Sequence, residues 1–509
     1  MKPPLPSKFA ALILPLFCGG LIIGLLSTLT VAAWPAISSQ PMAMFDPLWS
    51  ISPASQGVYY GYGGFLLASL FTSVLAVGTV LVLSWLGAMV LRRIAGGRWL
   101  GNVLIDVLHV LGAIPPVAIG GAVALWLLPA LAQTAGYSGR CYLLGIVALV
   151  GIHWPRLTLA WLELLDSFSP ALTANARALG ASRWHILRWV KWPAMKHRVV
   201  ELGLQTLVRC LGEAAGIFFV CGTSGQTVFQ FDLLGNTDTM STKLLSTDAA
   251  WFGPDRPALI MVTLALTLLC LAVSSLRGRI SRGQPVLPTQ PSPRRLHPAG
   301  FVAVVLLLLL LLCYLVPLLL AGHVAMEYSS AVSASTVTAA TLKWLLLVLP
   351  STLLAFPFAL WTVRLQYSAQ SVRWLQGCPP IVWAVAVGCV LPYGYRTVGL
   401  MLALTLIQGT WLTLKFADIL KAGPVLPRRD LLSRTWPQLL GAVLMSVAMA
   451  VGELNILALQ VDTQTTSTLL ADLAFSTSAE QSRIAVFVLL GMSLALAMLS
   501  RLIYRVFRP

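Results

Sequence analysis

Charge is what this sequence has least of. Only 10% of its 509 residues are Asp, Glu, Lys or Arg, against about a quarter in a soluble globular chain. Carboxylates are scarcer still: 17 Asp and Glu face 34 Lys and Arg, with six dispersed His. That supply holds no convergent acid/base or metal set, so no catalytic residue, metal ligand or cofactor is assigned and a membrane enzyme is disfavoured. Eight cysteines are scattered, mostly inside apolar runs, with no Cys-x-x-Cys. Neither a disulfide framework nor a metal site follows; they read as small packing residues. Gly-x-x-x-x-Gly-Lys-Ser/Thr is missing, and so is any Gly-Lys pair. The chain therefore has no P-loop to cradle nucleotide phosphates.

What is there is apolar surface. Hydrophobic residues make up 58% of the chain and the mean hydropathy is +0.84. Many windows exceed the ~18 apolar residues that cross a bilayer as a helix. The pattern predicts an all-α polytopic membrane protein with about twelve transmembrane helices: 9–33, 63–91, 100–128, 141–162, 199–221, 257–276, 300–321, 334–363, 374–392, 397–414, 438–459 and 483–503. The first apolar run, about 25 residues, is longer than a signal-peptide core, so an uncleaved first helix is expected.

The net charge of +17 is read by location. Lys2 and Lys8 precede the first span, Arg92, Arg93 and Arg98 follow the second, and Arg277, Arg279 and Arg282 follow the sixth. Lys415, Lys421, Arg428, Arg429 and Arg434 follow the tenth, and Arg501, Arg505 and Arg508 end the chain. The connections between hold Asp46, Asp232, Asp238, Glu327 and Asp462. Basic connections stay cytoplasmic. The expected placement is a bacterial inner membrane, multi-pass, with both termini cytoplasmic; the partner for this charge is the lipid bilayer and not nucleic acid.

A Pro-, Ser- and Arg-rich stretch, 277–299, reads as a cytoplasmic linker between a first half, 1–276, and a second, 300–509. The halves share landmarks in order. Pro116 corresponds to Pro380, "LTLAWLELL" at 157–165 to "LTLKFADIL" at 412–420, Trp192-Pro193 to Trp436-Pro437, and "LGEAAGI" at 211–217 to "VGELNIL" at 451–457. The offset shrinks from 264 to 255, 244 and 240. Deletions in a duplicated second half would produce this, and internal repeats are common in transporters.

The largest deletion falls beside "ANARALGASRWHILRWVKWP", residues 174–193. Ala174 and Ala176 form helix with little bulk. Gly180 can end that helix in a left-handed turn, and Ser182 can cap a second one starting near Arg183. Ile186, Leu187, Val190 and Trp184 recur at helical spacing as its apolar face, and Pro193 is expected to stop it. A basic amphipathic helix on anionic lipid fits this shape. The stretch also resembles the signature loop of binding-protein-dependent ABC importer permeases: Glu-Ala-Ala, three residues, Gly, nine residues, Ile, one residue, Leu-Pro. Gly180 and Pro193 keep the separation of 13, with Val190 at the Ile position; Ala174 replaces the Glu and Trp192 the Leu. In that family the segment is a coupling helix that docks on the ATPase.

"RCLGEAAG", 209–216, is similar to the Arg-x-x-Gly-Glu-x-Gly region of permeases for oxyanions, iron(III) and thiamine, and the fused two-half form looks most like the iron(III) and thiamine members. The resemblance implies a permease subunit with separate partners: a cytoplasmic ABC ATPase, a homodimer, and a periplasmic substrate-binding protein. The second-half coupling loop, 421–437, would contribute Arg428, Arg429, Trp436 and Pro437.

Ionisable residues within membrane spans mark cavities or partners. Arg209 and Glu213, at i,i+4, can meet on one helix face. They form either a structural ion pair or, with Glu453 of the second half, a gate or lining of the translocation path. Asp106 and His109, at i,i+3, are a relay or a buried hydrogen bond. Pro115-Pro116 and Pro379-Pro380 must bend spans three and nine. The competing class is a twelve-helix secondary transporter driven by an ion gradient. It explains the span count and linker but predicts a Gly-x-x-x-Asp-Arg loop after span two; "LRRIAGGRW" at 91–99 lacks it.

Overall fold

The computed structural model describes residues 8–43, 45–46, 49–50, 59–94, 99–135, 139–166, 170–222, 228–245, 256–281, 334–364, 375–390, 396–422, 428–450 and 479–506. Among the described residues, regular structure is helical apart from a two-residue antiparallel ladder, β1 (Trp49–Ser50) with β2 (Tyr59–Tyr60). This is an all-α polytopic membrane protein. Apolar surroundings offer the backbone no water, so each spanning segment satisfies its own N–H and C=O groups as a helix. Hydroxyls inside spans do the same: Ser69 and Thr72 donate to the Phe65 and Ala68 carbonyls, Thr263 and Thr267 to those of Leu259 and Thr263.

In the first half the helices are α1 (Lys8–Ser39), α2 (Gly63–Ile94), α3 (Trp99–Leu111), α4 (Pro116–Ala135), α5 (Tyr142–Asp166), α6 (Pro170–Ala178), α7 (Arg183–His185), α8 (Trp192–Gly212), α9 (Met240–Leu245) and α10 (Arg256–Ser281). In the second they are α11 (Ala334–Arg364), α12 (Pro380–Val390), α13 (Arg396–Ala422), α14 (Arg428–Ala450) and α15 (Ala479–Val506). Among the described residues α1, α2, α5 and α10 are long and apolar enough to cross a membrane. The expected third span is instead two helices, α3 and α4, bent by 89°. Pro115 and Pro116 cause the break, since a proline ring can neither donate to nor fit against the preceding turn. The expected fifth span ends early, at Gly212. Span 300–321 lies outside the described residues.

Packing repeats between the halves. Helix α2 lies on α5, α4 on α5 and α8 on α10; correspondingly α11 lies on α13, α12 on α13 and α14 on α15. The cross-contacts are reciprocal as well, with α10 against α12 and α15 against α4. Two hydrogen bonds of the proline turns correspond. Ile114 N–H donates to the Leu111 carbonyl at 3.2 Å and Ala118 N–H to that of Pro115 at 3.0 Å; Cys378 donates to Leu375 at 3.2 Å and Val382 to Pro379 at 3.0 Å. Thr158 and Thr413 each donate back four residues, to Trp154 and Gly409.

Asp238, expected on an open non-cytoplasmic connection, is 3% exposed. Residues 228–245 fold back onto the helices rather than projecting. Met240 N–H donates to Ser69 Oγ at 2.8 Å, Thr237 N–H to the Tyr142 hydroxyl at 3.1 Å, and Lys243 sits 3.8 Å from Asp238 and over the Phe65 ring.

Candidate functional site

Two places hold most of the residues singled out from sequence: a surface turn at 174–193 and a cavity between the halves.

At the turn, helix α6 ends in a left-handed glycine. Gly180 has φ +79. Its N–H donates to the Arg177 carbonyl at 2.9 Å, and Ala181 N–H reaches the Ala176 carbonyl at 3.0 Å. This paired closure satisfies two carbonyls that a helix end otherwise leaves open. Ser182 then caps α7, its Oγ accepting the His185 N–H at 3.2 Å.

The second helix differs from expectation in two ways. Pro193 does not stop it. Residues Ile186–Lys191 widen into a π-helical turn, with Trp192 N–H donating five residues back to Leu187, and the chain runs on through Pro193 into α8. The wider turn makes room for a ring that would otherwise collide with the carbonyl four residues before it. Nor does Trp184 join the apolar face: Ile186 is buried and Val190 half-buried, whereas Trp184, Trp189 and the neighbouring Leu179 are 67%, 63% and 88% exposed. Ala174 is exposed, Ala176 half-buried, and Pro193 exposed. The Arg188 guanidinium lies 5.7 Å from the Trp189 ring centre. Arg183 is the first residue of its helix. The turn thus presents large apolar side chains edged with positive charge.

In the second half, Arg428, Arg429, Trp436 and Pro437 all belong to α14, and Trp436 is exposed. Pro424 and Pro427 lie outside the described residues.

The cavity, of ≈ 190 Å³, is walled by both halves. Ile114 and Cys378, and Pro116 and Pro380, are corresponding residues of the two proline turns, and both pairs line it. So do Ile152 and its counterpart Ile407. The two halves approach closely at Gly212: a Cβ there would lie 2.6 Å from Pro379 Cβ, so only glycine admits the contact.

Arg209 and Glu213 both line this cavity, but they do not pair. Helix α8 ends at Gly212, and Glu213 turns out of it with φ −81 and ψ 102. Its Oε1 accepts the Gly216 N–H at 3.2 Å. The i,i+4 geometry that would join the two is lost with the helix. Among the described residues Arg209 makes no ion pair or side-chain hydrogen bond. Glu453 lies outside the described residues. Asp106 pairs with Arg501 of α15 at 3.7 Å.

Sequence reasoning missed Arg156 and Arg277 as cavity residues. Arg156 Nε donates at 2.6 Å to the Gly112 carbonyl freed where α3 breaks. Arg277 Nε lies 3.8 Å from Glu201, which Arg198 also holds at 3.2 Å. Arg156 carried a signal, being an arginine inside an apolar span. Arg277 did not, because it looks like one more basic residue after a span.

Residues 85–284 match the family described as binding-protein-dependent transport system inner membrane component. The chain is 28% identical over 193 residues to a probable ABC transporter permease protein, YqgH, of Bacillus subtilis, covering 38% of this chain and 62% of that one. It is 27% identical over 278 residues to the thiamine transport system permease protein ThiP of Salmonella typhimurium, covering 53% and 48%. It is 27% identical over 179 residues to a phosphate transport system permease protein PstA homolog of Mycoplasma pneumoniae, covering 35% and 27%. The chain thus spans less than two thirds of the length of each of these relatives. It is similar to binding-protein-dependent ABC transport permeases, the thiamine permease among them.

Proposed function

We propose that this chain is the transmembrane subunit of a binding-protein-dependent ABC importer. It forms the translocation path between its two halves, 1–276 and 300–509, and has no catalytic role of its own. A separate cytoplasmic ATPase, acting as a homodimer, docks on the 174–193 turn, and a separate periplasmic receptor delivers the substrate. Both termini are cytoplasmic in a bacterial inner membrane.

One observation carries the reading. The turn combines a left-handed Gly180, a Ser182 cap and exposed Leu179, Trp184 and Trp189 with a helix that continues directly into the cavity wall. Load applied at the turn therefore reaches Arg209 and Gly212 along one nearly continuous helix. An amphipathic helix serving only to rest on lipid needs no such connection. The family likeness of residues 85–284 supports the same reading. The reciprocal packing of the halves supports the two-half organisation.

The test is reconstitution. Vesicles holding the chain with its ATPase and receptor take up substrate when ATP is supplied. Vesicles holding the chain alone, under an imposed pH gradient, do not. Robust uptake in the second case would establish the secondary transporter instead.

A further inference from the structure

We propose that the extra residue held in the π-helical turn, Ile186–Lys191, sets which side chains the 174–193 turn presents. The face it builds, Trp184, His185, Arg188 and Trp189, seats in an apolar groove edged with carboxylates on the ATPase. This deepens, and rests on, the reading of the turn as the ATPase contact.

Successive residues of an α-helix are rotated by about 100°. In α8, Met195 and Thr206 are buried and Val199 and Leu202 half-buried, at the i, i+4, i+7 and i+11 spacing of one packed stripe. Carried back through an unbroken helix, that stripe would run through Lys191, Arg188 and Trp184. Ile186, nine residues before Met195, would stand roughly 180° away from it. The observed burial is different. Ile186 is buried and Leu187 and Val190 half-buried, whereas Trp184 and Arg188 are exposed. A turn closed five residues back takes up one residue more than an α turn. It therefore rotates everything before it by about 100° relative to α8. That rotation carries Trp184 and Arg188 off the packed side and brings Ile186 toward it. The π turn itself packs against α6.

Proline alone does not call for this turn. Pro437, the counterpart of Pro193, lies within α14, which is α-helical throughout. The extra residue instead reconciles two packed faces that an unbroken helix would set on different sides.

The outward face is aromatic and basic. The His185 and Trp189 rings are 6.2 Å apart, and the Arg188 guanidinium is 5.7 Å from the Trp189 ring centre. No Asp or Glu occurs between Asp166 and Glu201, a stretch that holds Arg177, Arg183, Arg188, Lys191, Lys196 and Arg198. Arg177, Arg188 and Lys196 are exposed. Trp and Arg are the side chains that anchor protein interfaces, and charge of one sign calls for the other on the partner. A helix resting on lipid turns its aliphatic stripe to the bilayer. Here Ile186, Leu187 and Val190 are turned inward instead, which favours a protein groove.

The experiment uses the full chain in phosphatidylcholine nanodiscs and the ATPase that supports uptake with it in vesicles. Deleting Lys191 together with Pro193→Ala removes the extra residue and the ring but keeps the phase, so ATPase binding is retained. Inserting one alanine after Lys191 turns the face by a further ~100°, and binding is lost at an unchanged melting temperature. Arg188→Glu, at an exposed position that the fold does not need, weakens binding by about tenfold or more and covers the case in which the insertion misfolds. A fluorophore on His185→Cys shifts its emission when ATPase is added. A shift produced by phosphatidylglycerol and not by ATPase would assign the face to lipid and overturn the proposal. So would undiminished binding by the insertion chain or by Arg188→Glu, or loss of binding in a folded deletion chain. Failure of the unsubstituted chain to bind the ATPase would instead overturn the docking reading, and this proposal with it.

Discussion

Replacing Gly180 by valine tests the proposed docking role of the 174–193 turn without touching the core. The residue sits at φ +79, and a Cβ built on it meets nothing within 4 Å. The cost is therefore conformational rather than steric: on the order of 1–2 kcal/mol for an L-residue in the left-handed region. The turn is held by two closing bonds, to the Arg177 and Ala176 carbonyls. Each contributes roughly 0.5–1.5 kcal/mol net, so the penalty is comparable to what holds the turn shut. The closed turn should lose about five- to thirtyfold in population relative to open forms. The membrane domain, which gains no clash, should melt as before. Co-purification of the ATPase with tagged chain should fall, and uptake at matched expression should fall with it. Asparagine tolerates this backbone region, so Gly180→Asn should retain most of both. Pro424→Ala, in the second-half loop, should cost less than Gly180→Val. Full ATPase binding and uptake by Gly180→Val, with both lost in Pro424→Ala, would place the coupling contact in the second half and refute the reasoning.

Ser182→Ala removes the acceptor for the His185 N–H and should cost about 0.5–2 kcal/mol, read as faster hydrogen exchange over residues 183–187. Unchanged exchange would show that the cap contributes nothing. A cysteine at Phe231, 82% exposed, should react with a membrane-impermeant thiol reagent added outside intact spheroplasts. One at Arg188 should react only after the membrane is opened. The reverse pattern would invert the topology and put the turn beyond any ATPase. Gly212→Ala forces a Cβ against Pro379, an overpacking of about 1–3 kcal/mol. A lower melting temperature and reduced uptake are expected, and an unaltered melt would show that the halves do not close there.

Some of this was legible in the sequence because it is local. Long apolar runs dictate helices wherever water is absent. A glycine followed two residues later by serine fixes a turn and a cap through their own backbone preferences, so Gly180 and Ser182 were readable directly. The proline pairs at 115–116 and 379–380 announced breaks for the same reason, although the 89° bend was not foreseen.

The cavity belongs to tertiary structure. Arg156, Arg209 and Arg277 are separated by 53 and 68 residues and meet only because α5, α8 and α10 pack together. In a soluble protein, periodicity tells which helix face points inward. In a membrane the lipid-facing and packed faces are both apolar, so that signal fades. The i,i+4 spacing of Arg209 and Glu213 promised a pair, and the end of α8 at Gly212 dissolved it. Sequence by itself determined a helical membrane protein with a basic capped turn. The tertiary structure alone decided which charges share a space. The reason is that contacts between helices depend on the register and rotation of each against its neighbours, which no single segment specifies.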